Sequence, residues 1–165
     1  MPSDKIHSYQ TGRFPIQSST GNKYMMVIYA YDPNAILVEP LWDITKESIL
    51  QAHQKIIGPL TKIVFKTRLK RLENNASQLL QNEMDSNKIN WKIVPPGNYR
   101  RNLVERQICT FKNHFISILS GTDTDSPLRI WDKLVPQECT TINLLRNSHR
   151  NSQLSEEAHL NGQFD

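Results

Sequence analysis

The chain has 165 residues, 38% of them hydrophobic and 22% charged, and carries a formal net charge of +4. That length suits one domain with a core of its own, and that balance excludes a disordered chain. No apolar run approaches the roughly 20 residues of a membrane-spanning helix, and the polar start Met1-Pro2-Ser3-Asp4-Lys5 lacks the apolar stretch of a secretion signal. An intracellular protein outside the membrane is therefore expected.

In chain order, Lys5 to Tyr9 reads as a short strand. Tyr24 to Tyr31 is an apolar and aromatic run without helical periodicity, Asp32-Pro33-Asn34 supplies turn chemistry, and Ala35 to Glu39 resumes as strand. Together they predict a β-hairpin buried on both faces. Lys46 to Ile57 places Ile49, Leu50, Ile56, Ile57 and His53 on one helical face, and Gly58-Pro59 is expected to end that helix. Arg68 to Leu72 reads as a strand and Ala76 to Met84 as a short helix. Ile89-Asn90-Trp91-Lys92-Ile93 alternates like a strand with one wet face, closed by Pro95-Pro96-Gly97.

Two helices follow, one carrying Val104, Ile108, Phe111, Phe115 and Ile118, the other Trp131, Leu134, Val135, Ile142 and Leu145. After Asn147 the chain turns polar and is expected to fray, giving a core over 1–146 and a tail over 147–165. Strands grouped first and then alternating with helices imply an α/β fold, a mixed sheet covered by helices.

The side chains that bear chemistry are few. Cys109 and Cys139 stand far apart with no CxxC spacing, and the five histidines form no metal-ligand pattern. Basic residues cluster twice, at Lys62, Lys66, Arg68, Lys70 and Arg71, and at Arg100, Arg101, Arg106 and Lys112. Such clusters are either solvated faces or phosphate contacts. Trp42, Trp91 and Trp131 read as core or interface residues rather than as base-stacking platforms. On residue chemistry alone Tyr9 is a packed aromatic, Glu73 a surface acid, and Glu105 a partner for Arg101 one helical turn earlier.

Seven short stretches carry a resemblance. Tyr9-Gln10-Thr11-Gly12 precedes Ser19-Thr20-Gly21-Asn22-Lys23-Tyr24 at the hairpin, and Leu72-Glu73-Asn74-Asn75-Ala76-Ser77 follows the fourth strand. Asn102-Leu103-Val104-Glu105-Arg106 opens the first long helix. Pro127-Leu128, Trp131-Asp132 and Asn143-Leu144-Leu145-Arg146 complete the set. In this order, over nearly the whole chain, they resemble the catalytic core of retroelement integrases, in particular those of copia-like long-terminal-repeat retrotransposons.

That resemblance implies an RNase H-like fold, a mixed five-stranded sheet flanked by helices. It implies DNA integration, in which a DNA 3′ hydroxyl or water attacks a phosphate in line between two Mg²⁺ or Mn²⁺ ions. It assigns the ligand positions to residues 9, 73 and 105, where the family carries Asp, Asp and Glu, and this chain has Tyr9, Glu73 and Glu105. A phenol with a pKa near 10 is neutral at pH 7 and a poor ligand for hard cations. Glu in place of Asp moves the carboxylate out by one methylene, and a displacement of about 1 Å can cost about a hundredfold in rate. Weak metal binding and impaired activity are expected.

The same resemblance makes Pro95 to Tyr99 a loop beside the active site, with Lys70, Arg71, Asn98, Tyr99, Arg100, Arg101, Arg106 and Lys112 as DNA contacts. Its implied partners are element-end DNA, target DNA and a second copy of the chain, in the nucleus if the host is eukaryotic. Two other readings stay open: a non-catalytic DNA-binding or assembly module that keeps the fold, and a metal-dependent nuclease.

Overall fold

In the computed structural model the described residues are 5–63, 69–72, 78–86, 89–93, 99–123, 125–155 and 157–158. Side chains are described for these except at 5, 59–63, 69–72, 93 and 99–104.

The apolar hairpin forms the centre of the molecule. β2 (Tyr24–Ala30) pairs antiparallel with β3 (Ala35–Leu41) on one side and with β1 (Lys5–Gln10) on the other. The turn between β2 and β3 is held at Asn34, whose φ of 65° a short amide side chain tolerates. β4 (Leu69–Leu72) joins β1 in parallel and β5 (Asn90–Ile93) joins β4 in parallel, giving the order β3-β2-β1-β4-β5.

Residues of β2 alternate between two apolar clusters, as a strand covered on both faces must. Met26, Ile28 and Ala30 meet Ile49, Ala52, Ile56 and Ile57 of α1 (Lys46–Ile63). Met25, Val27 and Tyr29 meet Ile108, Phe111 and Phe115 of α3 (Tyr99–Gly121), with Trp131, Val135 and Ile142 of α4 (Trp131–Leu144). A small third cluster seats Leu80 and Met84 of α2 (Gln78–Ser86) against Leu50, Ile89 and Trp91. No described helix is long and apolar enough to cross a membrane.

Four expectations need correction. α1 does not end at Gly58-Pro59 but continues to Ile63. The proline deletes one backbone donor, yet Ile49, Ala52, Ile56 and Ile57, buried on the sheet, fix the helix axis before it. β3 extends past Glu39 to Leu41 through Pro40, which sits opposite Met25. Met25 directs both backbone groups to Thr11, its carbonyl to the Thr11 N–H at 2.9 Å and its N–H to Thr11 Oγ1 at 3.0 Å. The missing donor of Pro40 therefore costs the ladder nothing, as is usual on an edge strand.

Of the core or interface places expected for the tryptophans, the core is excluded for Trp42, which is 63% exposed. Trp131 is fully buried, with Nε1 on the Ile16 carbonyl at 2.8 Å, and Trp91 is half-buried with Nε1 on Asp85 at 2.8 Å. Nor does the chain simply fray after Asn147. Ser148 is buried, its N–H donates to the Leu154 carbonyl at 3.1 Å, His149 Nδ1 meets the Tyr31 carbonyl at 2.7 Å, and Arg150 approaches Asp32 at 3.7 Å. Polar composition hid this segment because it docks through hydrogen bonds onto the β2–β3 turn rather than through apolar contact.

Candidate active site and nucleic-acid face

β1 and β4 run in parallel, with His7 beside Arg71, so both leave the sheet at the same edge. Ile6 faces α1, and three residues on, alternation turns Tyr9 to the opposite face. There Tyr9 is half-buried against the cluster that contains Ile108 and Phe111 of α3. Just past the strand, the two hydrogen bonds between Thr11 and Met25 fix the exit of β1. Thr11 to Pro15, with Met25, then lines a cleft of about 210 Å³ whose far wall is Lys112, Phe115 and Ile116 of α3.

Glu105 lies on α3 one turn before Ile108, which packs in the same cluster as Tyr9. The carboxylate-bearing residue and Arg106 are both exposed, and Lys112 is half-buried. Glu105 and Lys112 are two turns apart, so they share a side of the helix, about 10 Å along its axis. Tyr9 thus packs on the α3 side of the sheet, Lys112 lines the cleft at the exit of β1, and Glu105 stands two turns before Lys112 on α3.

Other assigned residues are only partly accounted for. Glu73, next in the chain after Leu72, lies outside the described residues, as do Lys66, Arg68, Asn98 and the turn at Pro95-Pro96-Gly97. Lys70 and Arg71 belong to β4, Lys62 to α1, and Tyr99, Arg100 and Arg101 to the first turn of α3, by backbone alone. The alternative pairing of Glu105 with Arg101 also falls outside the described side chains.

A centre for two divalent ions needs several carboxylates converging on one point. Among the described residues no group of three His, Cys, Asp or Glu is placed to hold a metal ion. Tyr9 offers a phenol to the same face, with Glu105 as the assigned carboxylate on α3. On the described residues the donor set does not fit a two-ion centre.

Two buried polar constellations that the sequence did not disclose hold this face together. Asp132, in the first turn of α4, accepts from Thr20 Oγ1 and from Asn22 Nδ2 (2.8 Å), and Ser18 Oγ lies 3.1 Å from Thr20 Oγ1. Burial works to raise the Asp132 carboxyl, but hydrogen bonds from Thr20, Ser18 and Asn22 outweigh it and hold the group below its ordinary value. This ties the long β1–β2 connection to α4. Between α3 and α4, His114 Nδ1 meets Oε1 of Glu138, a fully buried carboxylate. Burial pushes the Glu138 carboxyl up, the contact with His114 opposing it. The alternating polar run Ser18-Ser19-Thr20-Gly21-Asn22 was the only sequence signal for the first cluster, and nothing local signalled the second.

No protein-family model and no curated protein matches the chain. Solved structures do. A chain of the simian T-cell lymphotropic virus intasome, in complex with PP2A regulatory subunit B56 gamma, superposes with a TM-score of 0.74 at 17% identity over 98% of this chain. This chain spans 55% of that one, about half its length. The HTLV-2 integrase catalytic core, in complex with magnesium in a dimeric form, gives 0.69 at 19% identity, covering 95% of this chain and 97% of that one. The BIV integrase catalytic core gives 0.67 at 10% identity, covering 96% and 93%. The mixed α/β architecture described above is thus the fold of retroviral integrase catalytic core domains.

Proposed function

We propose that the chain is an integrase-type core that binds DNA and whose strand-transfer chemistry is impaired at the first ligand position. The observation that carries this reading is Tyr9. It occupies β1 on the face toward α3 and packs into an apolar cluster instead of offering a carboxylate. The likeness of the fold to cores of BIV and HTLV-2 integrase, the latter solved with magnesium, supports the reaction class and the choice of Mg²⁺ or Mn²⁺ as its metal.

In this reading Glu105 and Glu73 are the remaining carboxylates, the residues left to hold a divalent ion. Lys112, which lines the cleft, and the exposed Arg106 meet DNA phosphates. The dimeric form of the HTLV-2 core supports a homodimer, and DNA as partner assigns the work to the nucleus in a eukaryotic host. The copia-like assignment rests on the sequence motifs alone.

A second reading, a DNA-binding or assembly module without chemistry, is favoured by the same packed tyrosine. Fluorescence anisotropy on labelled duplex DNA tests the shared element. Binding that weakens linearly in log K against log salt, and that is equal in EDTA and in Mn²⁺, is expected. A chain that binds no duplex even at low salt would sink both readings.

A further inference from the structure

The cleft between the exit of β1 and α3 has the dimensions of a small-molecule site. Its volume of about 210 Å³ exceeds the roughly 150 Å³ in which an apolar cavity holds one benzene ring. Phe14, Pro15, Met25, Phe115 and Ile116 give it an apolar lining. Phe14 is clamped there: its ring stacks on Trp131 at 4.4 Å and meets Phe115 edge-on at 6.2 Å, and its N–H donates to the Lys23 carbonyl at 2.6 Å. Thr11 is tied to Met25 by two hydrogen bonds. Walls fixed in advance lose little freedom when a ligand arrives.

The polar part of the lining is one-sided. Thr11, 7% exposed, accepts from the Met25 N–H, which leaves its hydroxyl proton without an acceptor among the described residues. Arg13 and Lys112 also line the cleft, and neither is in an ion pair among the described residues. No acid occurs from 5 to 31 or from 106 to 121, the stretches that supply every lining residue. Glu105 stands two turns before Lys112, about 10 Å along the helix axis. Asp132 and Glu138 of α4 do not line the cleft; both are buried and engaged, by Thr20 and Asn22 and by His114.

The lining side chains therefore offer donors, at Thr11, Arg13 and Lys112, and no free acceptor. An ionised carboxylate only accepts, and a guanidinium can hold it through two parallel bonds. A nucleobase fits less well. The N–H groups on its edge would find no side-chain acceptor here, and a buried unpaired donor is costly. What remains is a ligand with an apolar, flat body of one or two rings and a single acid group.

We infer that this cleft binds a small planar aromatic carboxylic acid, with its rings against Phe14, Met25 and Phe115 and its carboxylate taken by Arg13 and Lys112. The assignment goes beyond DNA binding and does not depend on it.

Calorimetric titration of the whole chain with naphthoate, its uncharged methyl ester, acetate and adenosine monophosphate tests it. The expected result is a dissociation constant for naphthoate at or below about 1 mM. The ester should bind at least roughly tenfold more weakly, the order of a lost charge-assisted hydrogen bond, and acetate, which has no ring, not at all. Arg13→Gln and Lys112→Gln should each weaken naphthoate by about the same tenfold and leave the ester unchanged. Because Arg13 is exposed, its variant keeps the fold should Lys112→Gln disturb α3, and urea midpoints check both. No binding of naphthoate, equal affinities for acid and ester, or full affinity in Arg13→Gln and Lys112→Gln overturns the assignment. Tighter binding of adenosine monophosphate than of naphthoate also overturns it, in favour of a nucleotide. DNA binding, read separately on labelled duplex, stands or falls on its own.

Discussion

The side-chain amide of Asn143 completes the outer edge of the sheet: its Oδ1 accepts from the Ile36 N–H at 3.0 Å and its Nδ2 donates to the Ile36 carbonyl at 2.9 Å. Both residues are almost fully buried. One helical side chain thus stands in for a sixth strand at β3, an edge that would otherwise offer unpaired backbone groups to another chain.

Asn143→Ala leaves two buried backbone groups without these partners. At about 1–3 kcal/mol for each unsatisfied group, urea unfolding should show a loss of about 2–6 kcal/mol. Asn143→Asp keeps the acceptor but loses the donor while ionised, so it should also destabilise. A change below about 0.5 kcal/mol, the range of ordinary surface substitutions, would show that water replaces the amide freely.

The Glu138 carboxyl predicts a pH dependence. Its value is raised above 4.5 in the folded state, so the folded chain holds that proton more tightly than the unfolded one. The stability it contributes is full below about 4.5 and is lost as pH rises through the raised value. Glu138→Gln, neutral throughout, should therefore gain on the parent as pH increases across that window. His114→Ala should instead lose stability, because it leaves the buried carboxylate without its imidazole. The loss should fall at or below the lower end of the roughly 3–5 kcal/mol seen for broken buried pairs, since the imidazole is 34% exposed. Thermal melts across pH 4–8 decide both, and parallel curves for parent and Glu138→Gln would refute the linkage.

The two thiols should differ sharply in reactivity. Cys109 is exposed on α3, whereas burial pushes the Cys139 thiol up to about 12. At pH 8 a thiol at about 12 is thiolate in only about one molecule in ten thousand, and the thiolate is the reactive form. A thiol-specific reagent should label one equivalent quickly and the second only on unfolding. Cys109→Ser should abolish the fast phase.

Much of the fold was legible because its signals are local and strong. The apolar run from Tyr24, the turn at Asn34 and the spacing of Ile108, Phe111 and Phe115 each reflect one face meeting one neighbour. What was hidden depends on distant partners. Pro40 reads as a strand breaker until Met25 is seen turned toward Thr11. Asp132 and Glu138 look like surface acids of an amphipathic helix until Thr20, Asn22 and His114 arrive from elsewhere in the chain. Trp42 reads as core or interface because hydrophobicity alone does not tell a buried indole from one left exposed after a strand. Of the candidate site, Tyr9 as a packed aromatic was legible from residue chemistry, while the site roles of Tyr9 and Glu105 come from the resemblance. The motifs alone assign Glu73, which lies outside the described residues.

Gly21 carries a conformational prediction of its own. Its φ is +95°, and a side chain there adds strain of about 1–2 kcal/mol. Gly21→Ala should lower stability by about that amount, read as a lower urea midpoint, since the added methyl itself meets its neighbours only at ordinary contact distance. An unchanged midpoint would mean that the Ser18–Asn22 turn relaxes without cost.

The most direct test of the central claim is a Mn²⁺-dependent assay on a branched DNA that an isolated integrase core can resolve. The chain as it stands would run beside Tyr9→Asp and beside Tyr9→Asp combined with Glu73→Asp. Activity of the doubly changed form is expected at least roughly 10³-fold above the unchanged chain, since a bridging ligand outweighs the roughly 10- to 100-fold effect of an outer-shell partner. Activity of the unchanged chain within tenfold of the double variant would contradict it, as would a silent double variant that still folds and binds DNA.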